Sequence, residues 1–165
     1  MKESNAKKSS VSIEDAALRH LSARSRTTAE MGSYLAGKGF DEDSIKGLLS
    51  RFAGCGYLDD ERYCREYFRY SFGKGKGRRR VFAELREKGV DAALIENAYE
   101  DYCLEEGEPD ERQRAREEAD KVLRAAGLEP GTPVPEKIVA RAARRLSSKG
   151  YSSDVIYSVI GDLRE

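Results

Sequence analysis

The 165-residue sequence contains no tryptophan, one histidine, three cysteines and four prolines. The cysteines are odd in number and none has the C-x-x-C spacing, so neither a disulfide framework nor a zinc site is expected. The lone His20 lies beside leucines on a helical pattern, and no nucleophile with a base accompanies it. We therefore expect no catalytic activity, metal or cofactor.

Long apolar runs are also missing. No segment approaches the ~18 consecutive apolar residues of a membrane span, and the N-terminus lacks the apolar core of a signal peptide. The β-branched residues do not alternate with polar ones as in strands. We predict a cytoplasmic, all-α protein of about nine helices that does not contact membranes.

One pattern occurs three times: a Leu, three spacer residues, a Gly, a large apolar residue and an Ile six positions after the Gly. Gly takes the left-handed conformation that ends a helix, the next apolar side chain folds back on the last turn, and a following Asp or Ser caps the next helix. A repeated helical unit favours partner binding over catalysis. The copies are Leu35-x-x-x-Gly39-Phe40 with Ile45, Leu85-x-x-x-Gly89-Val90 with Ile95, and Leu146-x-x-x-Gly150-Tyr151 with Ile156.

The glycines of the pattern are 50 and then 61 residues apart, which suits a three-helix unit with a variable connection. A unit of this length is near the lower limit for an independent core, so neighbouring units should stack. The predicted organisation is a disordered N-terminal tail (1–11) and three tandem three-helix repeats (12–56, 57–106 and 107–165).

The zero net charge conceals two segments of opposite sign. Residues 62–88 contain ten Lys and Arg against three acids, and residues 100–120 contain ten acids against three Arg. We interpret the acidic segment (100–120) as a solvated helical face. The densest cationic stretch, the basic segment (74–80), lies at a helix N-terminus, where cations are unfavourable, so local stability does not explain it. Binding to a phosphate backbone or to an acidic protein groove would explain the basic segment.

Two chemical interpretations of short motifs are rejected. The acids Asp59, Asp60 and Glu61 are best explained as an N-cap and two acids at the positive end of a helix rather than as metal ligands or a catalytic pair. The glycines of the basic segment do not form the G-x-x-x-x-G-K-[ST] motif, and no strand precedes them, so nucleotide binding is not supported.

The run Gly56-Tyr57-Leu58-Asp59-Asp60-Glu61-Arg62-Tyr63, followed by Lys76-Gly77 and by Leu85-x-x-Lys88-Gly89, resembles the RecX family, regulators of the bacterial recombinase RecA. An earlier stretch, Ala17-Leu18-x-x-Leu21-x-x-Arg24-x-Arg26-Thr27-x-x-Glu30-Met31, is similar to the family's first repeat. The resemblance extends from about Ile13 to the C-terminus and weakens in the third repeat.

This resemblance implies an elongated, curved array of repeats that binds the RecA filament on single-stranded DNA. Such proteins modulate, and mainly inhibit, the recombinase, ATPase and coprotease activities of RecA, and so act in recombination regulation, DNA repair and the SOS response. They are not enzymes, and a monomer is expected. The basic positions in or beside the matching segments are assigned to partner or DNA contact: Arg24, Arg26, Arg62, Arg65, Arg69, Lys74, Lys76, Arg78, Arg79 and Arg80.

Two alternatives remain open. A stand-alone helical DNA-binding protein would use the basic segment against phosphates, although the net charge of zero and the acidic third repeat argue against it. A catalytic protein would use Asp59, Asp60 or Glu61, and no convergent site supports it.

Overall fold

The computed structural model describes residues 11–164, so the predicted tail lies outside the described residues except for Val11. The described residues form nine α-helices and no strand, which confirms the predicted all-α class. The helices are α1 (Ile13–Ala23), α2 (Thr28–Gly37), α3 (Glu42–Gly54), α4 (Asp60–Gly73), α5 (Arg78–Glu87), α6 (Ala92–Glu106), α7 (Glu111–Ala125), α8 (Glu136–Lys149) and α9 (Ser153–Asp162).

The three glycines of the repeated pattern end their helices as expected. Gly39, Gly89 and Gly150 have φ angles of 90°, 81° and 85°. In each copy the amide of the residue after the Gly donates to the carbonyl of the pattern Leu, at 3.3, 3.1 and 3.2 Å. This six-to-one hydrogen bond is the Schellman motif, which satisfies a carbonyl that the helix itself leaves free.

The residues after each glycine begin the next helix. The Asp41 side chain accepts from the Ser44 amide, the Asp91 side chain accepts from two amides of α6, and Ser152 caps α9. The predicted capping box at the start of α2 is also present, with Thr27 and Glu30 each accepting from the other's backbone amide. The repeated pattern is therefore a helix-turn-helix joint with both ends capped.

Contacts divide the described chain into two compact units, and the boundary follows Tyr63 within α4. In the first unit α1, α2 and α3 pack against one another around a core of apolar side chains. The buried members of this core are Ala16, Ala17, Met31, Leu35, Ile45, Leu48, Phe52 and Leu58.

The second unit contains α5 to α9 and most of α4. Five aromatic rings of α4, α5 and α6 form one cluster, with Phe68 at 5.5–5.9 Å from the other four ring centroids. Helices α7, α8 and α9 pack together around a separate apolar cluster that includes Val139, Leu146 and Val159. The aromatic cluster consists of Phe68, Phe72, Phe82, Tyr99 and Tyr102. The exact boundaries of three repeats stay a prediction.

Candidate interaction site

The basic segment forms the connection between α4 and α5. Gly75 has a φ of 74°, and the Lys76 amide donates to the Ser71 carbonyl at 3.2 Å, so α4 ends as the helices of the repeated pattern do. Gly77 then occupies the N-cap position of α5 without a side-chain cap. The three arginines that follow are the first three residues of α5.

Lys76 and Arg80 converge on one carboxylate, Glu84. Lys76 Nζ lies 2.7 Å from Glu84 Oε2 and Arg80 Nε lies 2.9 Å from Oε1, while the Tyr67 hydroxyl donates to Oε2 at 2.7 Å. Burial of this carboxyl favours its protonated form, but the hydrogen bonds from Lys76, Tyr67 and Arg80 outweigh burial and lower the pKa of Glu84 to about 2. Two cations of the segment are thus neutralised within the fold.

Arg78 covers the aromatic cluster. Its guanidinium lies 4.3 Å from the Tyr99 ring centroid and 4.8 Å from that of Phe82, and NH2 is paired with Glu96 Oε2 at 3.0 Å. The Arg78 amide donates to Glu111 Oε1 at 2.6 Å, which supplies α5 with a cap from α7. Guanidinium-ring stacking and a capped N-terminus give Arg78 a structural role.

Lys74 and Arg79 keep exposed side chains. The Lys74 ammonium lies 5.7 Å from the Tyr70 ring centroid, and Tyr70 is itself 61% exposed. In the described part of the chain Arg79 has no ion pair. The premise that local stability does not explain the basic segment was therefore wrong for three of its five cations, because Glu84 neutralises Lys76 and Arg80, and Glu96 neutralises Arg78.

Residues of α7, of α8 and of the turn after α8 hold the backbone of the basic segment. Lys149 binds it twice, since its carbonyl accepts from the Gly77 amide at 2.8 Å and its Nζ donates to the Lys74 carbonyl at 2.9 Å. The Tyr151 hydroxyl donates to the Gly75 carbonyl at 2.9 Å, and burial raises the pKa of Tyr151 to about 12. Arg114 NH2 donates to the carbonyls of Phe72 and Lys76. The conformation of the segment thus depends on contacts with α7, with α8 and with the turn after α8.

Glu118 lies at the centre of this junction. Its side chain is 1% exposed and is paired with Lys121, with Arg145 at 2.7 Å and with Lys149 at 3.7 Å. Burial opposes its ionisation, but the hydrogen bonds from Lys121 and Arg145 keep its pKa below the usual value. A Cβ added to Gly75 would lie 2.2 Å from Glu118 Oε1, so a side chain at position 75 would require this carboxylate and its ion pairs to shift.

The sequence interpretation of residues 100–120 as a solvated face misses Glu118. The sequence does contain a sign that Glu118 faces the core. Glu118 lies three residues after Ala115 and four before Val122, and both of these residues are buried. A carboxylate at a core-facing helical position requires cationic partners. Lys121 is on α7 itself, but Arg145 and Lys149 are on α8, beyond a long connection.

The cations predicted in the first unit have mostly intramolecular contacts. Arg24 NH2 is 3.4 Å from Glu30 Oε1, Arg26 Nε donates to the His20 carbonyl at 3.4 Å, and Arg62 NH2 donates to the Gly56 carbonyl at 3.0 Å. His20 stacks on the Tyr34 ring with 3.7 Å between centroids, and burial, Arg26 and Arg24 lower the pKa of His20. The side chains of Arg24 and Arg62 stay exposed.

The remaining two predicted cations lie on α4 in the second unit. Arg69 is exposed, and its NH2 lies 2.6 Å from Glu106 Oε1; hydrogen bonding to this carboxylate raises the pKa of Arg69. Arg65 is half-buried and has interactions of its own.

The acidic triplet stabilises helix ends, as expected for Asp59. Asp59 Oδ1 accepts from the Arg62 amide at 2.9 Å at the start of α4. Asp60 has a second role that the sequence does not reveal, since its Oδ1 accepts from the Thr28 amide at 2.8 Å and hydroxyl at 3.1 Å, at the start of α2. Among residues 11–164 no group of His, Cys, Asp and Glu is arranged to hold a metal ion. No helix in that range is long and apolar enough to cross a membrane.

Known proteins are similar to this chain over nearly its whole length. The sequence model of the first three-helix domain of RecX matches residues 15–52, and that of the second three-helix domain matches residues 59–98. Regulatory protein RecX of Mycobacterium sp. (strain KMS) is 36% identical over 146 residues, which are 87% of this chain and 76% of the relative. Regulatory protein RecX of Halorhodospira halophila is 31% identical over 153 residues, 93% of this chain and 89% of the relative.

Solved structures show the same fold. The crystal structure of RecX from Lactobacillus salivarius superimposes with a TM-score of 0.73 at 23% identity, over 92% of this chain and 94% of the other. A crystal structure of regulatory protein RecX gives a TM-score of 0.70 at 25% identity, over 91% and 73% of the two chains. The sequence and structural matches agree, and the chain belongs to the RecX family.

Proposed function

We propose that this protein is a stoichiometric regulator that binds the RecA filament on single-stranded DNA and mainly inhibits the recombinase, ATPase and coprotease activities of RecA. The observation that supports this most directly is its relationship, over 87% of the chain, to proteins named as regulatory rather than as enzymes. Regulation by binding requires no turnover and no cofactor. The site of action would be the cytoplasm, and the working form a monomer.

The basic segment is the contact that the geometry favours. Lys74 and Arg79 project from a loop whose carbonyls and amides are fixed by Lys149, Tyr151 and Arg114. A loop that is already ordered loses little conformational entropy when it binds, so its exposed cations contribute more of their interaction energy to affinity. Lys76, Arg78 and Arg80 would then shape the contact, and Arg24, Arg26, Arg62, Arg65 and Arg69 would add peripheral contacts.

Several repeats in one chain give a physical basis for inhibition. If successive repeats contact successive RecA protomers, each linked contact raises the effective concentration of the next and lowers the dissociation rate. The bound chain would inhibit either by locking protomers together along the filament or by blocking the growing end. The opposed basic and acidic segments would orient binding and make it sensitive to salt.

The decisive measurement is the ATPase activity of RecA on single-stranded DNA with and without an equimolar amount of this protein, together with filament length by electron microscopy. We expect slower hydrolysis and shorter or arrested filaments. Unchanged hydrolysis and unchanged length would refute the proposal.

A charge-reversal pair tests the contact itself. The variant Lys74→Glu/Arg79→Glu should weaken inhibition about tenfold or more, because it places acids where the partner must be acidic. Arg19→Glu/Arg51→Glu makes the same charge change at exposed positions of the first unit and should keep nearly full inhibition. Equal loss in both variants would show that total charge, rather than the basic segment, controls binding.

A stand-alone helical DNA-binding protein is the second candidate, because the same two exposed cations suit phosphate groups. Inhibition of RecA only at concentrations of this protein that saturate the DNA, without binding to the RecA filament, would favour it.

A further inference from the structure

Helix α8 carries a row of cations that belongs neither to the repeated pattern nor to the basic segment. The helix contains five Lys and Arg and one acid. Two of its cations, Arg145 and Lys149, are paired with Glu118, and its only acid, Glu136, is paired with Arg164. The other three cations lie on the opposite side from the α8 core residues, and we call them the α8 row: Lys137, Arg141 and Arg144.

The positions of the α8 row place its three side chains on one face. They are at i, i+4 and i+7, within about 60° around the helix and over about 10 Å of its axis. All three are exposed, and in the described part of the chain none is paired with a carboxylate. Arg141 donates only a long hydrogen bond, at 3.4 Å, to the Val122 carbonyl.

The row continues toward the basic segment within the same unit. Ser148, one turn after Arg144, lies on the same face, and its carbonyl accepts from Arg80 NH1 at 2.9 Å. A Cβ added to Gly150 would lie 2.3 Å from Arg80 Cβ, so the end of α8 and the start of α5 are in direct contact. The face that carries the α8 row therefore ends beside the start of α5, where Arg80 is paired with Glu84.

Local stability does not account for the α8 row. Like charges one turn apart destabilise a helix, and Lys137 lies in the first turn, where the helix dipole disfavours a cation. In the basic segment, by contrast, three cations have carboxylate partners. The α8 row thus places three cations without a carboxylate partner on one face of a single helix.

The chemistry of this face distinguishes between partners. A protein interface usually has an apolar centre. The large apolar side chains of α8, including Val139 and Leu146, are turned into the core, and none of them is exposed. Small polar residues and unpaired Arg and Lys are instead the composition of surfaces that bind a nucleic-acid backbone.

We propose that the α8 row binds the phosphate backbone of nucleic acid and does so independently of the base sequence. Because the row belongs to the third repeat, this repeat would have two roles: it fixes the basic segment and it contacts phosphates directly. The proposal does not depend on RecA. It assigns phosphate contact to α8, whereas the density of charge in the sequence suggests the start of α5.

The test uses the full chain and a fluorescein-labelled oligothymidylate, without RecA, and measures fluorescence anisotropy between about 50 and 200 mM salt. The row variant is Lys137→Gln/Arg141→Gln/Arg144→Gln. The matched control is Arg19→Gln/Arg51→Gln/Arg124→Gln, which removes the same charge from exposed arginines. Circular dichroism and thermal unfolding establish that both variants keep the native helicity.

The row variant should bind about tenfold or more weakly at low salt, and the slope of log K against log salt should become shallower by about 2, because each lost phosphate contact on a single strand contributes about 0.7. The control should change affinity about twofold at most. The single variants Arg141→Gln and Arg144→Gln, measured separately, should each make the slope shallower by about 0.7.

Three results would overturn the proposal: no salt-dependent binding by the unmodified chain, equal loss in the row variant and the control, or unchanged slopes in the row variant. Displacement of the oligonucleotide by poly-L-glutamate as efficiently as by unlabelled oligothymidylate would also contradict it, since the site would then select charge rather than phosphate. A slope difference of about 2.7 on duplex DNA, where each phosphate contact contributes about 0.9, would support it. None of these results bears on inhibition of RecA, so the two proposals fail separately.

Discussion

Gly77 is the position where one methyl group should most disturb the junction between α5 and α8. Its φ is −78°, so an alanine would meet no backbone penalty there. A Cβ at Gly77 would nevertheless lie 2.4 Å from the carbonyl oxygen of Gly150 and 2.7 Å from the amide nitrogen of Tyr151. These are backbone atoms and cannot rotate away, so the two elements must separate.

The expected loss follows from two contributions. Overpacking in a close contact costs about 1–3 kcal/mol. Separation also weakens the 2.8 Å hydrogen bond from the Gly77 amide to the Lys149 carbonyl, which contributes about 1 kcal/mol. We expect Gly77→Ala to lower the free energy of unfolding by about 2–4 kcal/mol, or the melting temperature by about 2–4 °C for each kcal/mol.

Urea unfolding followed by circular dichroism measures this loss, and Gly73→Ala is the matched control. Gly73 is the last residue of α4, and a Cβ there would meet nothing within 4 Å. Its replacement should leave stability within about 0.5 kcal/mol of the unmodified chain. If Gly77→Ala were equally neutral, the close packing of α5 on α8 would not exist in solution.

Three further substitutions test separate contacts. Glu84→Gln should make the free energy of unfolding depend less on pH in acid. The folded protein lowers the pKa of Glu84 to about 2, so its carboxylate stabilises the fold above its unfolded pKa of ~4.3, and this stability is lost as pH falls through 2. The stabilisation amounts to about 3 kcal/mol. An unchanged difference between variant and unmodified chain from pH ~6 to ~2 would contradict this. Asp60→Ala should cost about 1 kcal/mol in thermal unfolding, because the Thr28 amide and hydroxyl at the start of α2 lose their acceptor, whereas no loss would mean that solvent replaces it. Gly75→Ala should lose at least about 1 kcal/mol more than Gly127→Ala in urea unfolding, because both glycines have φ near 70° but only the first lies against a buried carboxylate. Equal losses would show that backbone conformation alone requires glycine at position 75.

The helices and their joints were predictable from local patterns. The spacing of Leu85, Gly89 and Val90 encodes a Schellman ending whose hydrogen bonds involve residues at most six positions apart, and the capping box of Thr27 and Glu30 is equally local. The family resemblance rests on the same short segments, so the sequence alone shows it.

The partners of charged side chains were not predictable in this way. Counting charges between positions 62 and 88 finds the basic segment, but Arg78 is paired with Glu96 and capped by Glu111 through contacts spanning 18 and 33 residues. Glu118 was likewise misassigned to a solvated face, because its cationic partner Arg145 is 27 residues away. An ion pair depends on distance in space, which a count along the chain does not measure.

The sequence by itself determined that this chain forms capped helices in a repeated register, since hydrogen bonds and apolar contacts within one turn suffice for that. Only the tertiary structure decided which cations remain available to a partner. The fold brings carboxylates such as Glu84 and Glu118 to some of them and leaves Lys74, Arg79 and the α8 row in solvent. The physical reason is that neutralising a charge requires an opposite charge within a few ångströms, and the fold alone sets those distances.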